Sequence, residues 1–336
     1  MRPEPDHRVV VNGRFLARRV TGVERYGREI LRYIGETCRV ESTQEQGWQG
    51  HTWEQVVLPH RLGRDTMLWS PANTGPLLVR NQALTIHDLS PLEHPEWFQA
   101  RFALWYRLFL PMLAKHVEKV FTPSEYVRQK VMQRFGIQNV TVTPNGVNHF
   151  LFHPGAKQGR MDVPSYYLLF VGTIEPRKNL NLLLNSWAEI QHHFKDSWLL
   201  VVGVSGTVFK TVNVSHTMER VRFLGYVDDE TLAGLYANAM LCVLPSQDEG
   251  FGLPALEAMA SGTPVIVSDG GALPEVVGEA GVRFCLSDPG SLRERLKECL
   301  SNARRRAELT DRGLERAASF SWQSTADIVW KELHAR

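Results

Sequence analysis

An α/β fold of two parallel-sheet domains facing a cleft is the architecture that three observations predict. Short apolar runs recur along the chain, helical patterns separate them, and the alternation lapses once, between Pro144 and Pro164, before restarting. At 336 residues, roughly 150 residues per domain gives about two domains, each large enough to bury a core. Strands alternating with helices make each half a doubly wound, Rossmann-like sheet.

Arg8-Val-Val-Val-Asn12-Gly13 is an apolar run closed by a turn pair and reads as a buried first strand. Thr21-Gly22-Val23 leads into a helical stretch, 24–34. The loop of this βα unit lies at the carboxyl end of its strand, where open α/β sheets bind ligands. Further strands are expected at 67–70, 83–87 and 119–122. Residues 97–118 are rich in aromatics and leucine and read as helix broken at Pro111, whose ring removes an N–H donor. The 125–135 stretch reads as an amphipathic helix with Ser124 as N-cap.

The lapse, with Phe150, Phe152, Pro154, Gly155 and Gly159, sets the expected domain boundary at 155/156. The second pattern gives a strand at 166–172, a helix at 180–194, strands at 198–203 and 220–224 and a helix at 229–238. A strand at 239–244, a helix at 254–261 and a strand at 264–268 follow. Helices at 291–306 and 310–320 finish this half, and a closing helix at 322–333 is free to pack back on the first domain. The expected domains are therefore 1–155, 156–321 and a terminal helical segment, 322–336.

Composition excludes several classes. Lys and Arg number 38 against 36 Asp and Glu, a balance of +2, too even for a protein that coats nucleic acid phosphates. Residues 1–155 hold 19 basic and 14 acidic side chains, hence +5, and the remainder hold 19 and 22, hence −3. The basic front half fits an anionic acceptor or a lipid surface. Cys38, Cys242, Cys285 and Cys299 include no CxxC pair, so neither zinc nor a disulfide framework is indicated and a reducing cytoplasmic setting is expected. The opening Met-Arg-Pro-Glu-Pro-Asp-His has no signal-peptide core, and no run approaches the roughly 18 apolar residues of a membrane span.

The chemistry concentrates in two loops. In Glu249-Gly-Phe-Gly-Leu-Pro-Ala-Leu-Glu257, Pro254 suits the first turn of a helix, so the amides near Gly252 and Leu253 point out of a helix N-terminus. Such an end attracts phosphate through unpaired donors and the helix dipole. Gly250 and Gly252 let backbone approach a bulky ligand, and Glu249 and Glu257 flank the turn with carboxylates. That layout suits a ligand with hydroxyls at both ends and phosphates in the middle, as in a nucleotide sugar. A lone pair of glutamates at this spacing would be an ordinary solvated junction; the embedded Gly-Phe-Gly-Leu-Pro argues otherwise.

The second loop, Gly172-Thr-Ile-Glu175-Pro-Arg177-Lys178-Asn179, joins a buried strand to a helix. Arg177 and Lys178 would project at the same sheet end and neutralise a diphosphate. As a merely solvated pair at a helix start they would oppose the dipole. His87-Asp88 ends an apolar strand and is a further candidate, with Asp88 either orienting the imidazole or capping the next turn. The aromatic stretch with Arg101, Arg107 and Lys115 reads either as a membrane-facing amphipathic helix or as a core helix, and the flanking Glu96 and Glu118 favour the core. No Asp-x-Asp, GxxxxGK[ST], early GxGxxG or Gly-x-Ser-x-Gly occurs, which removes metal-bound diphosphate, P-loop, dinucleotide and hydrolase readings.

These two loops, about 70 residues apart, resemble retaining glycosyltransferase family 4, which has the GT-B fold. Thr21-Gly22-Val23-Glu24-Arg25-Tyr26, Ile86-His87-Asp88-Leu89, Pro123-Ser124-Glu125, Val142-Thr143-Pro144-Asn145-Gly146-Val147 and Phe223-Leu-Gly225-Tyr-Val227 extend the resemblance over essentially the whole chain.

The resemblance implies that Glu257 binds the donor ribose, while Arg177 and Lys178, in the loop opened by Gly172, hold the diphosphate. Glu249 with the backbone of Gly250, Phe251 and Gly252 meets the donor sugar, and Leu253 N–H a phosphate oxygen. Tyr226 and Val227 hold the base, Gly22 approaches the diphosphate, and His87 is the active-site histidine near the sugar. It further implies a metal-independent hexosyltransferase without cofactor, bacterial and mannosyl- or rhamnosyltransferase-like. Such an enzyme would take a nucleotide-diphosphate sugar such as GDP-mannose and a saccharide or lipid-linked acceptor in surface polysaccharide or lipopolysaccharide biosynthesis. The expected setting is cytoplasmic, with peripheral contact at the inner membrane left open and nucleic acid excluded. The alternatives are a non-catalytic nucleotide-sugar-binding protein and a GT-B sugar-nucleotide epimerase.

Overall fold

The computed structural model describes residues 8–156, 162–206, 208–210 and 218–335. Met1–His7 and Gly159, both used in the sequence reading, lie outside the described residues. The chain divides into two units, Met1–Glu93 with Arg101–Gly146 and Ser321–Arg336, and His94–Ala100 with Val147–Phe320.

The sheet of the first unit contains β1 (Val9–Asn12), β2 (Arg39–Glu41), β3 (Met67–Ser70), β4 (Gln82–Thr85), β5 (Lys119–Thr122) and β6 (Val140–Val142), in the order β2-β1-β3-β4-β5-β6. All its pairings are parallel. Strands buried on both faces read as continuous apolar runs rather than alternating ones, and β1 and β3 are buried at every position. The three-residue strands β2 and β6, at the sheet edges, carry too little pattern to be seen in the sequence.

The helix Gly22–Ile34 begins with Thr21 as N-cap, and Glu24 Oε2 accepts the Thr21 backbone N–H at 3.2 Å. Ser124 caps the helix Glu125–Phe135 as expected, accepting from Val127 N–H at 3.2 Å. Pro111 does not break its helix, which runs unbroken through Ala100–His116. Phe109, Leu110, Leu113 and Ala114 on either side of it are anchored in the core with Leu84, Ile86 and Val120, and this packing outweighs one lost backbone bond.

The closing helix Trp322–His334 packs against Gly22–Ile34 in this unit, with the Trp322 and Tyr26 rings edge to face at 6.2 Å. Thr325 Oγ1 donates to Pro144 O and Lys119 Nζ to Ala335 O at 2.7 Å.

The second unit holds β7 (Tyr166–Val171), β8 (Ser197–Val202), β9 (Val221–Gly225), β10 (Leu241–Leu244), β11 (Val265–Ser268) and β12 (Val282–Phe284). Its order is β12-β11-β10-β7-β8-β9, again parallel throughout. The core gathers Leu168, Phe170, Leu199, Val201, Val243 and Ile266 from the sheet with Leu183, Trp187 and Leu296 from the covering helices.

Several boundaries differ from the sequence reading: the helix expected at 180–194 ends at Ile190, the strand expected at 83–87 is Gln82–Thr85, and the strand expected at 239–244 begins at Leu241. The units part at Gly146/Val147 rather than 155/156, because Val147 and Phe152 are already buried and Phe152 packs edge to face on Tyr236 at 5.9 Å. His94–Ala100 belongs to the second unit, where Gln99 N–H donates to Val208 O and Lys210 N–H to Trp97 O. The late helices are Pro289–Ser301 and Ala303–Ala318, divided at Asn302, whose side chain caps Arg305 N–H at 2.9 Å. No described helix is long and apolar enough to cross a membrane.

Candidate active site

In the second unit the strand order changes direction of growth between β7 and β10. Loops leaving the carboxyl ends of two such strands diverge to opposite faces of the sheet and leave a crevice. The loop after β7 carries Gly172 to Asn179, and the loop after β10 carries Ser246 to Gly252, so both sequence-predicted loops arrive at this point. Gln247 N–H donates to Arg177 O at 2.7 Å and ties them together.

Arg177 and Lys178 were expected at a helix start; they stand one step earlier, in the 3-10 turn Pro176–Lys178. Asn179 then takes a left-handed conformation, φ 51°, and the helix begins at Leu180. A solvated face is excluded, since Lys178 is buried and Arg177 half-buried. Arg177 Nη1 donates to Glu249 Oε2 at 2.8 Å and to Asp248 O at 3.0 Å, while Nη2 lies 2.7 Å from Glu175 Oε1. Lys178 Nζ lies 2.5 Å from Glu249 Oε1, which also accepts from Ser246 Oγ at 2.8 Å. The Lys178 stem runs past Gly172, where a Cβ would sit 3.4 Å from Lys178 Cε.

These partners set the electrostatics. Burial alone would push the Glu249 carboxyl up, but Lys178 and Arg177, with hydrogen bonds from Lys178 and Ser246, hold it at about 2. Glu175 goes the other way: burial raises it, and the nearby Arg177 and Lys178 offset only part of that rise. Two cations therefore face one firmly ionised carboxylate and one carboxylate driven toward its neutral form.

Gly252 is left-handed at φ 106°, and the helix Leu253–Ala260 starts immediately after it with Pro254 in its first turn. A Cβ at Gly252 would meet Leu273 Cδ2 at 2.6 Å, so the position needs glycine on both counts. Leu253 N–H, at the first helical position, has no intrahelical acceptor. Glu257 lies one turn inside this helix, buried, and accepts from Tyr236 OH at 3.3 Å. Gly250 and Phe251 are buried between these points, and the Phe251 ring packs edge to face on Phe320 at 5.8 Å. Tyr226 and Val227 follow the edge strand β9, at the same end of the sheet but two strands away from β7, with Tyr226 exposed.

Gly22 and His87 belong to the first unit. Gly22 is the first residue of its helix rather than a loop residue. His87 lies two residues beyond β4, buried, with Nε2 2.7 Å from Pro71 O and its backbone N–H donating to Asn73 Oδ1 at 2.7 Å. Because a carbonyl can only accept, Nε2 carries the proton and Nδ1 holds the lone pair. Burial pushes the imidazole below its ordinary value, and the Pro71 bond with the charges of Asp88 and Glu24 offsets only part. Asp88 caps a turn, accepting from Ser90 N–H at 3.1 Å.

Sequence reading passed over Ser246, Glu175 and Gly271. Gly271, at φ 65°, would place a Cβ 2.2 Å from Glu249 N, and Ala272 N–H donates to Glu249 O at 2.8 Å, so this turn buttresses the Glu249 backbone. In the first unit it passed over a buried group at the end of β1. There Glu54 Oε1 accepts from Asn12 Nδ2 at 2.7 Å and lies 3.3 Å from Arg14 Nε. Arg14 and Glu54 stand 40 positions apart with no intervening motif, so no local signal links them.

Residues 156–316 match the family model of glycosyl transferases group 1, and residues 66–149 match that of glycosyltransferase family 4. The chain is 28% identical over 309 residues to O-antigen chain mannosyltransferase B of Escherichia coli, covering 86% of this chain and 77% of that protein. It is 30% identical over 245 residues to O-antigen chain mannosyltransferase RfbU of Salmonella typhimurium, covering 70% of this chain and 65% of that one. Its fold is similar to that of HepE of Anabaena, solved in complex with UDP and glucose, with a TM-score of 0.74 at 14% identity over 98% of this chain and 100% of that one. With its two six-stranded parallel sheets and its paired Arg-Lys and Glu-x7-Glu loops, the chain belongs to the family 4 glycosyltransferases of GT-B fold.

Proposed function

We propose that this glycosyltransferase moves a hexosyl unit, mannosyl or rhamnosyl, from a nucleotide-diphosphate sugar to a saccharide or lipid-linked acceptor during assembly of a surface polysaccharide. The observation that carries the reading is the convergence of Arg177 and Lys178 on Glu249 beside the N-terminus of the helix bearing Glu257. The mannosyl preference rests on the two O-antigen mannosyltransferases to which the chain is similar.

Breaking the bond from anomeric carbon to diphosphate builds negative charge on the leaving oxygen. Arg177, Lys178 and the Leu253 N–H supply fixed positive potential for it, so neither a metal nor a cofactor has a step to perform. Donors already in place do not reorganise as charge develops, and losing one such donor costs about 3 kcal/mol of barrier. Glu257 takes the ribose hydroxyls, Tyr226 and Val227 border the base, and Glu249 with the Gly250 to Gly252 backbone meets the sugar. His87, neutral, positions the sugar. The acceptor attacks on the face the diphosphate leaves, the departing phosphate takes its proton, and the configuration is retained. The enzyme works in the cytoplasm and contacts the membrane peripherally.

Thermal melts against a panel of GDP and UDP sugars test the donor, since a ligand at 100 times its Kd adds about 2.7 kcal/mol of stability. Product analysis with an acceptor present then separates transfer from binding or epimerisation. A panel that shifts nothing, with no transfer to any saccharide or lipid-linked acceptor, overturns the reading.

A further inference from the structure

Glu175 is a buried carboxylate, 2% exposed, that the proposed transfer leaves without a role. Its backbone opens the turn Pro176–Lys178, where Lys178 N–H donates to Glu175 O at 3.1 Å, but its side chain caps nothing there. Arg177 Nη2 lies 2.7 Å from Oε1, while Oε2 has no hydrogen-bond partner among the described residues. A buried ion pair can often be replaced by apolar side chains without loss of stability. Packing alone therefore does not account for a carboxylate at this position.

The charged groups facing it are Arg177 and Lys178 on its own loop and Glu249 on the loop after β10. Glu249, held at about 2, stays ionised. With Glu175 ionised as well, two cations meet two anions and these four groups sum to zero; with Glu175 protonated they sum to +1. Only the second state leaves net positive charge for a diphosphate. One guanidinium joins the two carboxylates, with Nη1 on Glu249 and Nη2 on Glu175, so a phosphate that takes Nη2 must displace Glu175. Burial, the largest influence on Glu175, already favours its neutral form.

We propose that Glu175 is a positioning residue that holds the Arg177 guanidinium until the donor diphosphate arrives, then takes up one proton from solvent and yields Nη2 to phosphate. The inference rests on the proposed reading that Arg177 and Lys178 meet the donor diphosphate, and it adds a proton to that binding step. A carboxylate becomes a carboxylic acid and no other covalent bond is made or broken. The proton returns to solvent when the nucleoside diphosphate leaves. Because ligand and proton bind together, donor affinity is highest at low pH and falls as pH rises through the pKa that Glu175 has in the bound state.

The test is isothermal titration calorimetry of the full chain with GDP-mannose and UDP-glucose, whose diphosphates do not titrate between pH 5.5 and 8. The wild type is expected to bind at least one of them with net proton uptake, read from the difference between HEPES and Tris buffers. Its affinity is expected to weaken at least fivefold from pH 5.5 to 8. Glu175→Gln, neutral and of the same shape, is expected to lose the uptake, to vary less than twofold over that range and to bind more tightly than wild type at pH 8. Binding by the wild type without proton uptake anywhere in the range overturns the inference and leaves the donor site standing. So does uptake, or a pH profile, that Glu175→Gln shares with the wild type. Should Glu175→Gln fail to fold by circular dichroism, the wild-type uptake decides alone. Absence of wild-type binding to both donors strikes the proposed donor site and this inference with it.

Discussion

Lys178 Nζ and Glu249 Oε1 lie 2.5 Å apart at the carboxyl ends of adjacent strands, joining residues 71 positions apart in the chain. Both side chains are buried, and removing one partner of a buried ion pair leaves the other charge uncompensated. The pair therefore fixes each side chain in place and holds the β7 and β10 loops in register.

For Lys178→Ala, turnover should fall by about 100- to 1,000-fold, the effect of losing one preorganised donor to a developing oxyanion. Arg177→Ala should do the same, because its guanidinium bonds the same carboxylate. Steady-state kinetics on variants whose circular dichroism matches wild type checks this; rates within threefold of wild type would remove these side chains from the donor site.

The acid side of stability should depend on Glu249. Its carboxyl sits at about 2 in the folded chain and near 4.3 when unfolded. A depressed folded value contributes stability that is complete above the unfolded pKa and is lost as pH falls toward the folded one. Urea melts at pH 5, 4 and 3 should therefore show Glu249→Gln less stable at pH 5 and its deficit narrowing toward pH 3. A constant deficit would contradict the ion-pair assignment.

His87 should be neutral at pH 7 to 8 with its proton on Nε2, since burial depresses the imidazole below its ordinary value and Pro71 O accepts the hydrogen bond from Nε2. Nitrogen NMR of labelled histidine reads the tautomer directly. His87→Ala should cut turnover at least tenfold while leaving donor affinity within threefold. Unchanged turnover would make His87 structural.

At Gly146, a Cβ would lie 2.1 Å from Trp322 N, a backbone atom that cannot swing aside. Gly146→Ala should cost about 2 to 3 kcal/mol by forcing the closing helix off its seat. Denaturant melts measure the loss, and Gly155→Ala, whose nearest neighbour is a side-chain atom of His153 at 3.3 Å, should cost far less.

The strand runs were legible because a parallel sheet covered on both faces demands unbroken apolar segments, as β3 and β5 show at their expected bounds. The two loops after β7 and β10 were legible because turn glycines and Pro254 are local signals. Pro111 misled, since local propensity argued for a break that core packing on both sides forbids.

The chain by itself determined which residue types stand at each strand end, for those follow from spacing along one dimension. Only the folded sheet decided that Lys178 and Ser246 share one oxygen of Glu249 and that Glu175 is driven toward neutrality beside Arg177. The reason is physical: partner choice and burial depend on strand order, and strand order depends on the sum of many distant apolar contacts that no local window contains.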